Sequence, residues 1–90
     1  MHQKYYLYIL RSKLDKNLYI GVTTNLYKRV QEHNFGNQQS TKNRGNFELI
    51  YYEVFFNKLD VYLREKYFKT GWGRKHLRHA LSNTLSTLRT

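Results

Sequence analysis

Six carboxylates stand against sixteen lysines and arginines in this chain, so any acid–base or metal chemistry has few candidates. Five of the six have local explanations: Asp15 in a turn, Glu32 on the outer side of a helix, Glu48 and Glu53 in a long strand, and Asp60 at a helix start. Glu65 has none. Flanked by Arg64 and Lys66, it is either an ion-pair partner or a ligand for a hard cation such as Mg²⁺. Tyr8 and Tyr19 lie eleven residues apart around one short turn. A turn centred near residues 13–14 sets them opposite each other on one sheet face. Two phenols so placed are a cross-strand aromatic pair unless something else lies against them. Gly21 follows at once, and a glycine inside a strand marks close approach of another backbone or a ligand. Arg29 and His33, spaced i, i+4, share one face of the next helix. The bland reading makes Arg29 a surface cation and His33 a partly buried polar cap on a helix end.

Other chemistries are excluded or weak. The chain has no cysteine, which removes disulfides and thiolate metal sites and is compatible with a reducing cytoplasm. It contains no GxxxxGK[ST], no GxGxxG, no HExxH and no GxSxG. His76 and His79 fall in a basic helix and read as solvated residues. The N-terminus lacks the features of a signal peptide, and no apolar run approaches the roughly 20 residues needed to span a bilayer. The net charge of +10 favours polyanions, chiefly nucleic acid. A solvated basic surface would carry the same charge.

The elements that must hold these residues follow from pattern. Lys4 to Arg11 is dense in β-formers, Ser12 to Asn17 reads as a turn, and Leu18 to Val22 as a second strand. Thr23-Thr24-Asn25 offers N-cap side chains for a helix whose inner stripe is Leu26, Val30 and His33. Residues 34–46 are polar and glycine-containing, a surface loop. Phe47 to Phe56 is the longest apolar run and reads as a central strand. Asn57 can cap the next helix, with Leu59, Tyr62, Leu63 and Tyr67 as its expected core face. Gly71-Trp72-Gly73 breaks that helix, and a basic tail helix from about Arg74 to Leu85 turns Leu77 and Leu81 inward. The expectation is one α/β domain over residues 1–90, order β-β-α-β-α-α, with a small, mainly antiparallel three-stranded sheet flanked by helices.

With those placements made, the pattern resembles the GIY-YIG nucleases. Tyr6-Leu7-Tyr8 and Tyr19-Ile20-Gly21 resemble the paired motifs, the first with Tyr-Leu in place of Gly-Ile. Arg29 and His33 follow Tyr19 by ten and fourteen residues, and Glu65 matches the family's glutamate. The similarity spans nearly the whole chain. Ser40-Thr41-Lys42-Asn43-Arg44 and Lys69-Thr70-Gly71-Trp72-Gly73-Arg74 bring it nearest to the short bacterial members of the excision-repair-like branch. Many members carry an asparagine after the glutamate-bearing helix, where this chain has Thr70-Gly71-Trp72-Gly73-Arg74.

The resemblance implies a cytoplasmic endonuclease-like phosphodiesterase, linked to DNA repair and acting on nucleic acid, DNA before RNA. It implies one Mg²⁺ or Mn²⁺ held at Glu65, and a water oriented and deprotonated by Tyr8. Arg29 would clamp the phosphate, and Tyr19 and His33 would position the water or relay its proton. An unperturbed phenol titrates near 10, so nearby positive charge would have to lower it. Gly21, Lys42, Arg44, Arg74 and Lys75 are the candidate nucleic-acid contacts, together with Trp72, which is either a stacking platform or a core anchor. Larger members carry a targeting domain, which implies a protein partner for a short chain. The alternative expectation is a basic binding module that cuts little or not at all.

Overall fold

The computed structural model describes residues 2–34 and 46–88. Its order is β1 (Tyr5–Ser12), β2 (Leu18–Thr23), α1 (Leu26–Asn34), β3 (Phe47–Phe55), α2 (Lys58–Phe68), α3 (Gly71–Ala80) and α4 (Ser82–Thr87). The expected α/β class and antiparallel three-stranded sheet are present. The expected single tail helix is instead two, because Leu81 leaves helical geometry at φ −106°, ψ 18°.

Strand order is β2-β1-β3, with both pairings antiparallel. This corrects the expectation that the long apolar run would be central: β1 is the middle strand and β3 an edge. Leu7, Tyr8, Ile9 and Leu10 are all 0–3% exposed, so β1 is covered on both faces. In β3 only Phe47 is buried, while Tyr52 and Val54 are exposed. Burial of consecutive residues marks a central strand, and run length alone does not.

Side chains of β1 alternate between two cores. Leu7 and Ile9 pack with Val61, Phe68, Leu77 and Leu81 under α2 and α3. Tyr8 and Leu10 join Phe47 on the other side, closed by Leu26 and Val30 of α1. Asn25 Oδ1 accepts from the Lys28 amide at 3.1 Å and starts α1 as expected.

The β1–β2 turn is held by its own polar groups. Ser12 Oγ accepts from the Leu14 and Asp15 amides, both at 3.2 Å, and Asp15 Oδ1 accepts from the Asn17 amide at 2.9 Å. Lys16 takes a left-handed φ of 66°. This turn sets Tyr8 opposite Gly21 and Leu10 opposite Tyr19. Tyr8 and Tyr19 therefore share a face diagonally rather than directly opposite, because the turn centre lies one residue later than the sequence suggested.

Asn57 caps α2 as expected, accepting from the Leu59 and Asp60 amides at 2.9 and 3.3 Å. The core face differs from the expectation: Val61 and Phe68 are buried, and Leu59, Tyr62, Leu63 and Tyr67 are exposed. Two turns separate Val61 from Phe68, with Arg64 between them. Arg64 lies 4.3 Å from the Phe68 ring centroid and grips Glu53 with two hydrogen bonds of 2.9 and 3.0 Å. A charged residue thus completes the inner stripe. Burial pushes the Glu53 carboxyl up, but hydrogen bonds from Arg64 and Tyr51 outweigh it and hold Glu53 below its ordinary value. Thr70 then caps α3 by accepting from the Gly73 amide at 3.1 Å. No helix among the described residues is long and apolar enough to cross a membrane.

Candidate active site

One cleft of about 720 Å³ wraps the free edge of β2, between α1 on one side and α2 and α3 on the other. Tyr8, Tyr19, Gly21, Arg29, His33, Glu65 and Arg74 all line it. Residues from five elements, spread over positions 8 to 74, thus meet in one place. Trp72 and Lys75 do not line it. Trp72 is 77% exposed, so it is no core anchor, and the Lys75 ammonium sits 5.9 Å from its ring centroid. Lys42 and Arg44 lie outside the described residues.

The buried contact in the cleft joins the Tyr8 hydroxyl to His33 Nε2 at 3.0 Å. Burial pushes the His33 ring below its ordinary titration range, and the Arg29 charge adds to that. His33 is therefore neutral near pH 7, and in the tautomer protonated at Nδ1 its Nε2 accepts while the Tyr8 O–H donates. Burial likewise raises the Tyr8 phenol above 10, although Arg29 pulls the other way through hydrogen bonding and charge. Positive charge near Tyr8 is present as anticipated, yet burial wins, and the phenol remains protonated.

Gly21 has a steric role. A Cβ built there would stand 2.3 Å from the Tyr8 oxygen and 2.5 Å from its Cζ. The Tyr8 ring thus lies over the glycine's bare Cα on the neighbouring strand. Tyr19 packs edge-on to Phe47, ring centroids 5.3 Å apart, and its hydroxyl reaches Asp15 at 3.4 Å.

Arg29 pairs with Glu32 at 3.0 Å, one turn along α1, which holds the guanidinium at the cleft wall. The Glu65 side chain is 22% exposed and pairs with Lys69 at 3.1 Å. Sequence reasoning passed over Lys69, although its i, i+4 spacing from the only unexplained carboxylate was a usable signal. Asn17 and Tyr62 also line the cleft, and so does Arg78, one turn beyond Arg74 on α3.

No group of three histidine, aspartate or glutamate side chains able to hold a metal occurs among the described residues. The donor set is one carboxylate facing a basic, solvated cleft. That fits Mg²⁺ or Mn²⁺, since Mg²⁺ keeps most of its waters and takes its remaining ligands from substrate phosphate. It does not fit zinc, which wants four protein or near-protein ligands.

The cleft therefore offers a buried, hydrogen-bonded tyrosine–histidine pair, a guanidinium, a carboxylate and further cations, a set suited to a phosphodiester. The protein-family model for the GIY-YIG catalytic domain matches residues 4–78. A UPF0213 protein of Clostridium perfringens is 46% identical over 65 residues, covering 71% of this chain and 69% of that protein. A UPF0213 protein of Pediococcus pentosaceus is 37% identical over 83 residues, covering 91% and 86%. The solution NMR structure of a UPF0213 protein from Bacillus halodurans is 30% identical, covers 96% of this chain and 85% of that one, and superposes with a TM-score of 0.47.

Proposed function

The chain belongs to the GIY-YIG nuclease family, in its UPF0213 branch, and on that premise we propose that it is a divalent-metal-dependent endonuclease hydrolysing phosphodiester bonds in nucleic acid, DNA before RNA. The observation that carries the proposal is the buried Tyr8–His33 contact opening into the same cleft as Arg29 and Glu65.

In this reading Tyr8 is a relay rather than a standing phenolate. A water bound at the phenol oxygen gives up a proton to that oxygen as the phenol's own proton passes to His33 Nε2. The resulting hydroxide attacks phosphorus, the bond to the leaving oxygen breaks, that oxygen takes up a proton from solvent, and His33 returns its proton to solvent. Arg29 neutralises the charge that builds on the non-bridging oxygens. Tyr19 fixes the water from the neighbouring strand. Glu65 would hold the divalent ion, which when bound supplies Lewis acidity to a phosphoryl oxygen. Lys69, Arg74 and Arg78 surround the substrate with positive charge.

The test is nicking of supercoiled plasmid by wild type and Glu65→Ala in Mg²⁺, Mn²⁺ or EDTA. Wild type should cut only with metal, and Glu65→Ala should cut about hundredfold more slowly while binding DNA as well. Absence of cutting by wild type under every metal would sink the nuclease.

A second reading, binding without cleavage, has one observation in its favour: Lys69 already neutralises Glu65. If Lys69 merely competes with the ion, Lys69→Ala should lower the Mg²⁺ concentration for half-maximal cutting by about three- to tenfold, since it removes one positive charge beside the ligand. Wild type and Lys69→Ala should then cut equally at saturating metal. An unchanged metal requirement would mean that the ion does not meet Glu65 where Lys69 now sits.

A further inference from the structure

The cleft does not end at the scissile centre. A second hollow of about 530 Å³ continues from it along α3 and α4 to the β1–β2 turn. Asn17, Leu18 and Arg78 line both, so the two form one groove. Lys16 and Arg78 supply its charge, and Ser82 and Ser86, one turn apart on α4, supply hydroxyls. No carboxylate lines this hollow among the described residues. Arg11 also borders it, but that guanidinium is buried and bonded to Glu48 at 3.3 Å, so its charge is spent. Lys16 and Arg78 are both exposed, and neither meets a carboxylate among the described residues.

From this we infer that the second hollow is a subsite for the phosphodiester backbone of the bound strand, beyond the bond to be cut. Arg78 spans the two hollows, and Lys16 holds the far end. The inference rests on the nuclease reading for what occupies the first hollow, but not for the charge of the second. Among the described residues no aromatic side chain lines the second hollow, so they give bases nothing to stack on, and their contacts are to phosphate and sugar without regard to sequence. The hydrogen-bonded turn sets the backbone at Lys16, and its ammonium donates to the Lys13 carbonyl at 3.0 Å, which places that far cation.

Binding of fluorescent single strands tests this, measured with EDTA so that nothing is cut. The proteins are wild type, Lys16→Ala/Arg78→Ala, and a charge-matched Lys28→Ala/Lys58→Ala control whose lysines line neither hollow. For strands of about eight nucleotides, the first pair should weaken binding on the order of tenfold and reduce the log–log salt slope by about 1.4, two contacts at 0.7 each. A dinucleotide, too short to leave the first hollow, should lose the Arg78 contact alone, with a slope change of about 0.7 and a smaller loss of affinity than the long strand. Equal losses in the control pair would overturn the subsite in favour of general charge. So would a Lys16/Arg78 variant that binds long strands as wild type does. Polyglutamate of matched length losing as much affinity as DNA would overturn the assignment to a phosphodiester backbone. A wild type that shows the length dependence yet never cuts plasmid would retain the subsite and sink the nuclease reading alone.

Discussion

Tyr8→Phe should cut DNA about 10²- to 10⁴-fold more slowly than wild type, the range that a positioned proton-transfer group contributes. The substitution keeps the ring that covers Gly21 and removes only the oxygen bonded to His33. The fold should survive it. Loss of one buried hydrogen bond costs about 1 kcal/mol, a fall in Tm of about 4–8 °C for a domain of this size. The pH dependence separates a relay from a mere packing role. Because burial and Arg29 depress the His33 pKa below its ordinary 6.5, the wild-type rate should hold through neutral pH and fall only in acid, as His33 gains the proton that blocks it. The raised Tyr8 pKa puts no alkaline limb near neutrality. Residual cutting by Tyr8→Phe should lack the acid limb. A Tyr8→Phe enzyme with the wild-type rate and profile would end the relay.

His33 also ties stability to pH, with a definite sign. Its folded pKa lies below the unfolded value of about 6.5, so the unfolded chain takes up the proton first. Stability is therefore full above about pH 6.5 and falls as pH drops below it. The loss levels off once the folded ring titrates as well.

Gly73→Ala should produce the largest loss of stability, about 3 kcal/mol, lowering Tm by about 12–24 °C. The new Cβ would stand 1.9 Å from the Tyr67 carbonyl oxygen and 2.6 Å from Phe68 Cα. Both are backbone atoms, and no rotamer can relieve them. Helix α3 would have to move away from α2, carrying Leu77 out of the core and Arg74 and Arg78 along the cleft wall. Gly71, two residues earlier, has nothing within 4 Å of its Cβ position. Gly71→Ala should therefore melt at or slightly above the wild-type temperature. Thermal melts of the two variants side by side decide the matter, and equal Tm values would refute the packing argument.

Local signals in the sequence were enough to find the strands, the caps at Asn25 and Asn57, and the residues that gather in the cleft. They failed wherever a partner from another element decides the outcome. The inner face of α2 was misread because Leu59 and Leu63 outscore Arg64 on any apolar scale. Only the presence of Glu53 on β3, eleven residues upstream, makes Arg64 an inward residue. The diagonal placement of Tyr8 and Tyr19 depended on a turn centred one residue later, which moves each strand partner by two, and Lys16 can adopt its left-handed φ without being a glycine. Trp72 looked able to serve as an anchor because tryptophan often is one, but the first turn of α3 points it to solvent. The function of Glu65 was legible as a question, and the Lys69 pairing sharpens it into a competition.

The Tyr8 ring resting on Gly21 has a consequence for descent. The third letter of each half of the motif is one side of a single contact, so the two positions cannot drift independently. In a lineage that keeps the phenol, any side chain at the glycine position collides with it. In one that has traded the phenol for a small residue, the glycine is released from that restraint. Substitutions at these two sites should therefore appear in pairs, and a relative with a bulky residue in place of Gly21 should prove to have abandoned cutting while its sheet stays intact.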